Sequence, residues 1–290
     1  MKSVVQLKNL RKEYQEFILD NVTLDIPEGY ITGLIGPNGA GKTTTIKLIM
    51  NLIQADGGTV EVMDLTHDKY EKEIKDRIGY VGEEQFFYEH RSAQWTGKFV
   101  SHFYSKWDNG RYQELLTEFQ LPPKKRIKTY SKGMRVKLAL AIALSHNPEL
   151  IILDEPTSGL DPVIRREVLD LLQRDSMDEK RSVLISSHIT DDISRVADYI
   201  AYMIHGSFVL FSAKDELLAD WKTLHFKKDS LDPKIAATLE NVETQMFGSS
   251  GVTRRYREIA PDLAEGVASG DIKVENVGLD DILIAMVKEK

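Results

Sequence analysis

The chain of 290 residues contains no cysteine, so disulfides, thiolate zinc sites and cysteine nucleophiles are all excluded. A reducing cytoplasm is compatible with that absence. Long apolar runs are missing too. The longest spans residues 138–144, against the roughly 18–20 apolar residues a membrane helix needs. The first residues, Met1-Lys2-Ser3, lead straight into an alternating strand pattern, without the apolar core or small-residue cleavage site of a signal peptide. If the protein acts at a membrane, another chain is expected to cross it. There is no basic surplus either: 38 Lys and Arg face 45 Asp and Glu, a net charge of −7, which argues against a nucleic-acid partner. With 42% hydrophobic and 29% charged residues, the composition is that of a soluble globular chain with one large domain, or one domain and a smaller one.

What is present centres on Gly36-Pro37-Asn38-Gly39-Ala40-Gly41-Lys42-Thr43, a G-x-x-x-x-G-K-T phosphate loop continued by Thr44. An apolar run over 30–35 predicts a buried strand before it, and residues 44–50 predict a helix after it. That is the context the motif requires. Glycines allow the backbone to approach a phosphate, and consecutive N–H groups at a helix start form an anion site. Lys42 adds a point charge for the β- and γ-phosphates. The Thr43 hydroxyl suits Mg²⁺, which prefers hard oxygen ligands.

The second strong stretch is Leu150-Ile151-Ile152-Leu153-Asp154-Glu155. It predicts a buried strand with adjacent carboxylates at its C-terminal end, where ligands bind in parallel sheets. Such a pair is costly without a cation or a proton to move. Asp154 is assigned to Mg²⁺ and Glu155 to the attacking water as general base. Residues 182–188 predict a further strand ending in His188 at the same edge. Ser131 and Gly133 open a helix within Tyr130-Ser131-Lys132-Gly133-Met134. That segment admits two readings, a capped helix start or a second anion site.

The rest supplies architecture. Strands are expected over 4–7, 22–26, 59–63 and 78–81, and a hairpin over 199–211. Helices are expected over 70–77, 163–173 and 213–221. An aromatic-rich stretch with Trp95, Phe99, Phe103, Tyr104, Trp107 and Phe119 predicts an inserted helical subdomain, with its aromatic stripe as core. The fold class is α/β: a P-loop NTPase core, its mixed sheet flanked by helices, with that subdomain (about 84–145) and a small C-terminal α/β extension.

These motifs, in this order, resemble the nucleotide-binding subunit of ABC transporters over residues 3–221, leaving 222–290 as an accessory extension. The resemblance identifies the 150–156 stretch as Walker B, Ser158 to Asp161 as the D-loop and His188 as the switch histidine. Tyr14 occupies the place of the adenine-stacking aromatic. Ser131 and Gly133 keep the signature positions that contact the γ-phosphate on a partner subunit, while Lys132 replaces a glycine and Met134 a glutamine. The SKGM form and the strand–helix ending over 272–287 are similar to bacterial exporters of peptides or antibiotics whose ATPase and membrane subunits are separate chains. The glutamine expected after residue 81 is replaced by Glu83, a candidate Mg²⁺ ligand, or displaced to Gln85. The resemblance implies ATP and Mg²⁺ as cofactors and a homodimer or heterodimer of ATP-binding subunits. It also implies a separate multi-span permease and a cytoplasmic location on the inner face of the membrane. The alternative is a soluble ABC ATPase acting on ribosomes or nucleic acid.

Overall fold

The computed structural model describes residues 2–179, 181–227, 232–246 and 248–288. It contains two compact units, Met1–Phe211 and Ser212–Lys290.

The first unit opens with β1 (Ser3–Glu13) and β2 (Ile18–Pro27), an antiparallel pair, followed by β3 (Ile31–Ile35) and α1 (Lys42–Ile49). Next come β4 (Gly57–Val62), β5 (Leu65–Thr66), α2 (His67–Asp76) and β6 (Ile78–Val81). The inserted helices are α3 (Ala93–Val100) and α4 (Asn109–Glu118), and α5 (Lys132–Leu144) leads back to the core. Alternation resumes with β7 (Leu150–Asp154), α6 (Pro162–Glu179), β8 (Ser182–Ser187), α7 (Thr190–Val196), β9 (Tyr199–Ile204) and β10 (Ser207–Ala213).

Two sheets result, in the orders β2-β1-β4-β5 and β10-β9-β3-β8-β7-β6. In the second, β3 is parallel to β8 and β9, and β7 is parallel to β6 and β8. Every residue of β3, β7 and β8 is buried. Near-continuous apolar sequence is what a parallel sheet covered on both faces demands. The shared direction brings Ile35, Asp154 and Ser187 to one edge.

β1 runs six residues beyond the expected end at Leu7, to Glu13. Its register with β2 shifts between Leu7 and Leu10, and Asn9 there adopts φ 49°. This bulge breaks the alternation that the sequence reading relied on. Gly58 answers it from β4, where a Cβ would meet the Asn9 carbonyl oxygen at 2.4 Å.

The helical subdomain forms, and Tyr104 and Trp107 of its aromatic stripe pack on buried His146 and Tyr112, but Trp95, Phe99 and Phe103 are not its core. Trp95 stacks on Phe99 (5.1 Å, 7°), and Phe99 meets Phe103 and Tyr88 edge-on. Phe103 is 64% exposed. The buried face of α3 carries Ala93, Thr96 and Gly97 instead. These small residues admit Tyr112 of α4, whose ring would clash with any Cβ at Gly97 (2.1 Å) and whose hydroxyl donates to the Ala93 carbonyl. Volume decides which face is buried: Tyr112 fills the interhelical space, so the aromatic face points outward.

The second unit begins with α8 (Lys214–Asp220), β11 (Lys222–Lys227), α9 (Pro233–Ala236) and β12 (Glu240–Gln245). It continues with β13 (Gly248–Thr253), α10 (Tyr256–Ser269), β14 (Ile272–Asn276) and α11 (Leu279–Lys288). Its sheet order is β12-β13-β11-β14, with β11 antiparallel to both neighbours. From β11 to β14 this is the split β-α-β-β-α-β arrangement. Leu224, Phe226, Ile235, Ile259, Leu263 and Ile272 form its core. Within the basic run at 254–257, Arg257 grips Asp220 with two guanidinium nitrogens and Arg255 pairs with Glu258.

Candidate functional site

The loop between β3 and α1 takes its shape from two glycines at positive φ, Gly39 (79°) and Gly41 (110°). Gly36 is needed for a different reason: a Cβ there would lie 2.2 Å from the Met203 carbonyl oxygen of β9. Lys42 folds back along the loop. Its buried ammonium donates to the carbonyls of Gly36 (2.8 Å) and Pro37 (3.3 Å) and lies 3.3 Å from Glu155 Oε1.

The carboxylates at the end of β7 are held separately. Asp154 Oδ1 accepts from Thr43 Oγ1 (3.2 Å) and from Ser186 Oγ (2.6 Å). Ser186 Oγ accepts from the Glu155 N–H at 3.0 Å. Glu155 stands at φ 49°, an uncommon region for a non-glycine residue. That turn swings its carboxylate across to His188, whose Nδ1 lies 2.7 Å from Glu155 Oε2. Below them the Tyr80 phenol is pushed above its ordinary value by burial and by the charge of Asp154.

An open cavity of about 770 Å³ collects these groups. Asn38, Gly39, Ala40, Gly41, Lys42, Thr43 and Thr44 line it, together with Glu83, Glu155, Ser158, His188, Glu16 and Phe17. The glycine-rich loop, its lysine and a carboxylate–histidine pair therefore border one space large enough for a nucleotide.

The ABC transporter family model matches residues 19–158. A Bacillus subtilis ABC transporter ATP-binding protein, YhcH, is 32% identical over 300 residues, covering 100% of this chain and 97% of that protein. The chain belongs to the ATP-binding subunits of ABC transporters. The bacitracin transport ATP-binding protein BcrA of Enterococcus faecalis is 32% identical over 72% of this chain and 69% of its own length. Among solved structures, a dimeric ATP-binding cassette in a post-hydrolysis state with ADP and Pi superposes with a TM-score of 0.63 at 26% identity, over 72% of this chain and 98% of the other. The fold is that of the ABC cassettes, and the chain is an ATPase that powers a transporter.

In this ABC ATPase not every residue singled out in the sequence reaches the cavity. Gly36 and Pro37 lie behind it as acceptors for Lys42, and Asp154 lies beneath Thr43. Tyr14 stands outside the lining, 44% exposed, with the Lys12 ammonium 5.7 Å from its ring centre. A tight turn, closed by the Tyr14 N–H to the Phe17 carbonyl (2.8 Å), carries Phe17 to the cavity instead. The Phe17 ring approaches the Cβ position of Gly41 to 2.9 Å. Sequence reading missed Glu16, Phe17 and Ser186. The signal for the first two was the short polar step Gln15-Glu16 between aromatic residues, which a hairpin turn explains.

Of the two candidates in the loop after β6, Glu83 faces the cavity. Gln85 is turned into its own loop, its amide donating to the Gly82 (2.9 Å) and Glu83 (3.2 Å) carbonyls. Ser131, Lys132 and Gly133 lie away from the cavity at the start of α5. There Ser131 Oγ accepts from the Met134 N–H (3.2 Å). A Cβ at Gly133 would meet Ile164 at 2.9 Å, and the Lys132 ammonium rests 2.8 Å from the Cβ position of Gly159. Asp161 accepts from the Val163 and Ile164 N–H groups at the start of α6. Among the described residues no helix is long and apolar enough to cross a membrane.

Proposed function

We propose that ATP lies along Asn38–Thr44 with its γ-phosphate toward Glu155, and that the chain hydrolyses it to drive a peptide- or antibiotic-type exporter. The observation that carries this reading is the convergence of Lys42, Glu155 and His188 on one cavity. ATP phosphates compete with Glu155 for the Lys42 ammonium, so nucleotide binding frees the carboxylate to face water as general base. His188 orients that carboxylate. Thr43 and Asp154 offer a hydroxyl and a carboxylate 3.2 Å apart, hard oxygen donors of the kind Mg²⁺ accepts beside phosphates. They are the residues that would hold the ion, with Glu83, which lines the same cavity, as a further candidate. Bound there, Mg²⁺ would supply screening of the charge that develops on the phosphates.

Ser131, Lys132 and Gly133 lie on a separate surface, where a Ser-capped helix start presents free N–H groups. That arrangement supports a dimer in which each signature segment closes on the nucleotide of the other subunit. The outward stack of Tyr88, Trp95, Phe99 and Phe103 gives a permease an apolar anchor. The bacitracin transport relative supports the cargo class. Docking on a permease would place the chain on the cytoplasmic face of the membrane.

The experiment is affinity capture from detergent-solubilised membranes of the source cells. A stoichiometric multi-span membrane protein is expected. Recovery of ribosomal proteins or DNA in its place contradicts the transporter reading.

A further inference from the structure

Asp192 lies on α7, four residues beyond His188, and is 3% exposed. None of the roles above uses it. Its Oδ2 accepts from Thr157 Oγ1 at 2.7 Å, and its Oδ1 accepts from Arg165 Nε at 2.5 Å. Thr157, 1% exposed, lies between Glu155 and the cavity residue Ser158. Arg165 lies on the first turns of α6, where its own N–H donates to the Asp161 carbonyl (3.0 Å). One buried carboxylate therefore ties three segments together: the loop after Glu155, the start of α6, and the helix after His188.

A buried carboxylate needs such partners, but partners elsewhere would have served the charge equally well. The placement acquires meaning from the backbone of Glu155. A non-glycine residue at φ 49° persists only where its surroundings over-determine it. On the near side, Ser186 Oγ holds the Glu155 N–H. On the far side, Thr157 is held by Asp192. The base side of the Glu155–His188 contact is thus anchored to the helix that follows the histidine, and α7 is in turn seated on β3. A Cβ at Gly33 of β3 would lie 2.1 Å from Ile193.

We propose that Asp192 is a positioning residue for ATP hydrolysis: through Thr157 it fixes Glu155 against His188, and through Arg165 it makes both follow any movement of Ser158–Asp161. The inference rests on Glu155 being the general base. Its consequence is that a displacement of the D-loop moves the base with it.

Thr157→Val is the test, because it removes the hydroxyl at nearly constant volume and leaves Asp192 paired with Arg165. The kcat for Mg-ATP hydrolysis is expected to fall on the order of 10- to 100-fold, as for other displaced catalytic groups. The KM for ATP should stay within about twofold, since none of the three side chains lines the cavity. Thr157→Ser should restore turnover, and Asp192→Asn should lower kcat in the same sense. A folded Thr157→Val protein with wild-type kcat overturns the proposal. So does a loss shared by kcat, KM and Tm that serine does not rescue. The outcomes separate from those of the underlying reading. If Glu155→Gln keeps full turnover, the base assignment falls. If Glu155→Gln is inactive while Thr157→Val is normal, only the clamp falls.

Discussion

Phe17 borders the phosphate loop at Gly41, and Tyr14, three residues earlier, lies outside the cavity. Both rings sit on one tight turn, so exchanging their roles takes a turn of a different shape and no change of composition. Stacking of a base on an aromatic ring contributes on the order of 1–3 kcal/mol. Phe17→Ala is therefore expected to weaken ATP binding about tenfold, and Tyr14→Ala less than threefold, by equilibrium titration with a fluorescent ATP analogue. The reverse order would return the base to Tyr14. At this scale the sequence was legible where chemistry is contiguous: the loop from Gly36 to Thr43, and the Asp154–Glu155 pair. It was not legible where a contact depends on a turn or on packing across the chain. Phe17, Ser186 and Asp192 are of that kind, because no local pattern announces which serine or aspartate will lie beside a strand end.

Among the elements, the parallel strands β3, β7 and β8 were readable from their apolar runs, and their common direction explains why Glu155 and His188 meet. β13, with the sequence GSSGVT, has no period to read, and the split arrangement of the second unit emerged only from its strand order. The seating of α7 on β3 depends on Gly33. Gly33→Ala should overpack Ile193 and cost about 1–3 kcal/mol, several degrees in Tm by differential scanning calorimetry. An unchanged Tm would show that α7 is free to shift.

His146, just beyond α5, gives the element scale its pH dependence. It is buried, stacked on Tyr104 at 3.8 Å, and bonded to the Ile78 carbonyl at 3.0 Å. Burial holds its pKa below the ordinary 6.5, outweighing the two carbonyls that favour the charged form. Above 6.5 both folded and unfolded chains carry neutral imidazole. As pH falls below 6.5 the unfolded chain takes up a proton that the folded one resists, so stability is lost down to the folded pKa. Tm should fall by a few degrees more in the wild type than in His146→Phe between pH 7.5 and 5.5. Parallel decline of the two proteins contradicts this assignment.

At the scale of the molecule, none of Ser131, Lys132 and Gly133 is among the residues that line the cavity of the phosphate loop. In the proposed dimer the phosphate loop and the signature segment are each half of an anion site, completed by pairing, and the energy of ATP binding becomes the energy of closure. The outward-facing Trp95, Phe99 and Phe103, expected from sequence as core, form the surface proposed above as the anchor for a permease. The α/β class and the order of motifs were legible because each motif is local. The exposed aromatic stack was not, because its spacing along α3 is that of a buried stripe and only Tyr112 reveals which face the core had already filled.

The most direct measurement is sedimentation equilibrium of the Glu155→Gln protein with Mg-ATP, Mg-ADP and no nucleotide. The account predicts a dimer with Mg-ATP and a monomer in the other two conditions. A monomer at saturating ATP, with nucleotide demonstrably bound, would contradict it.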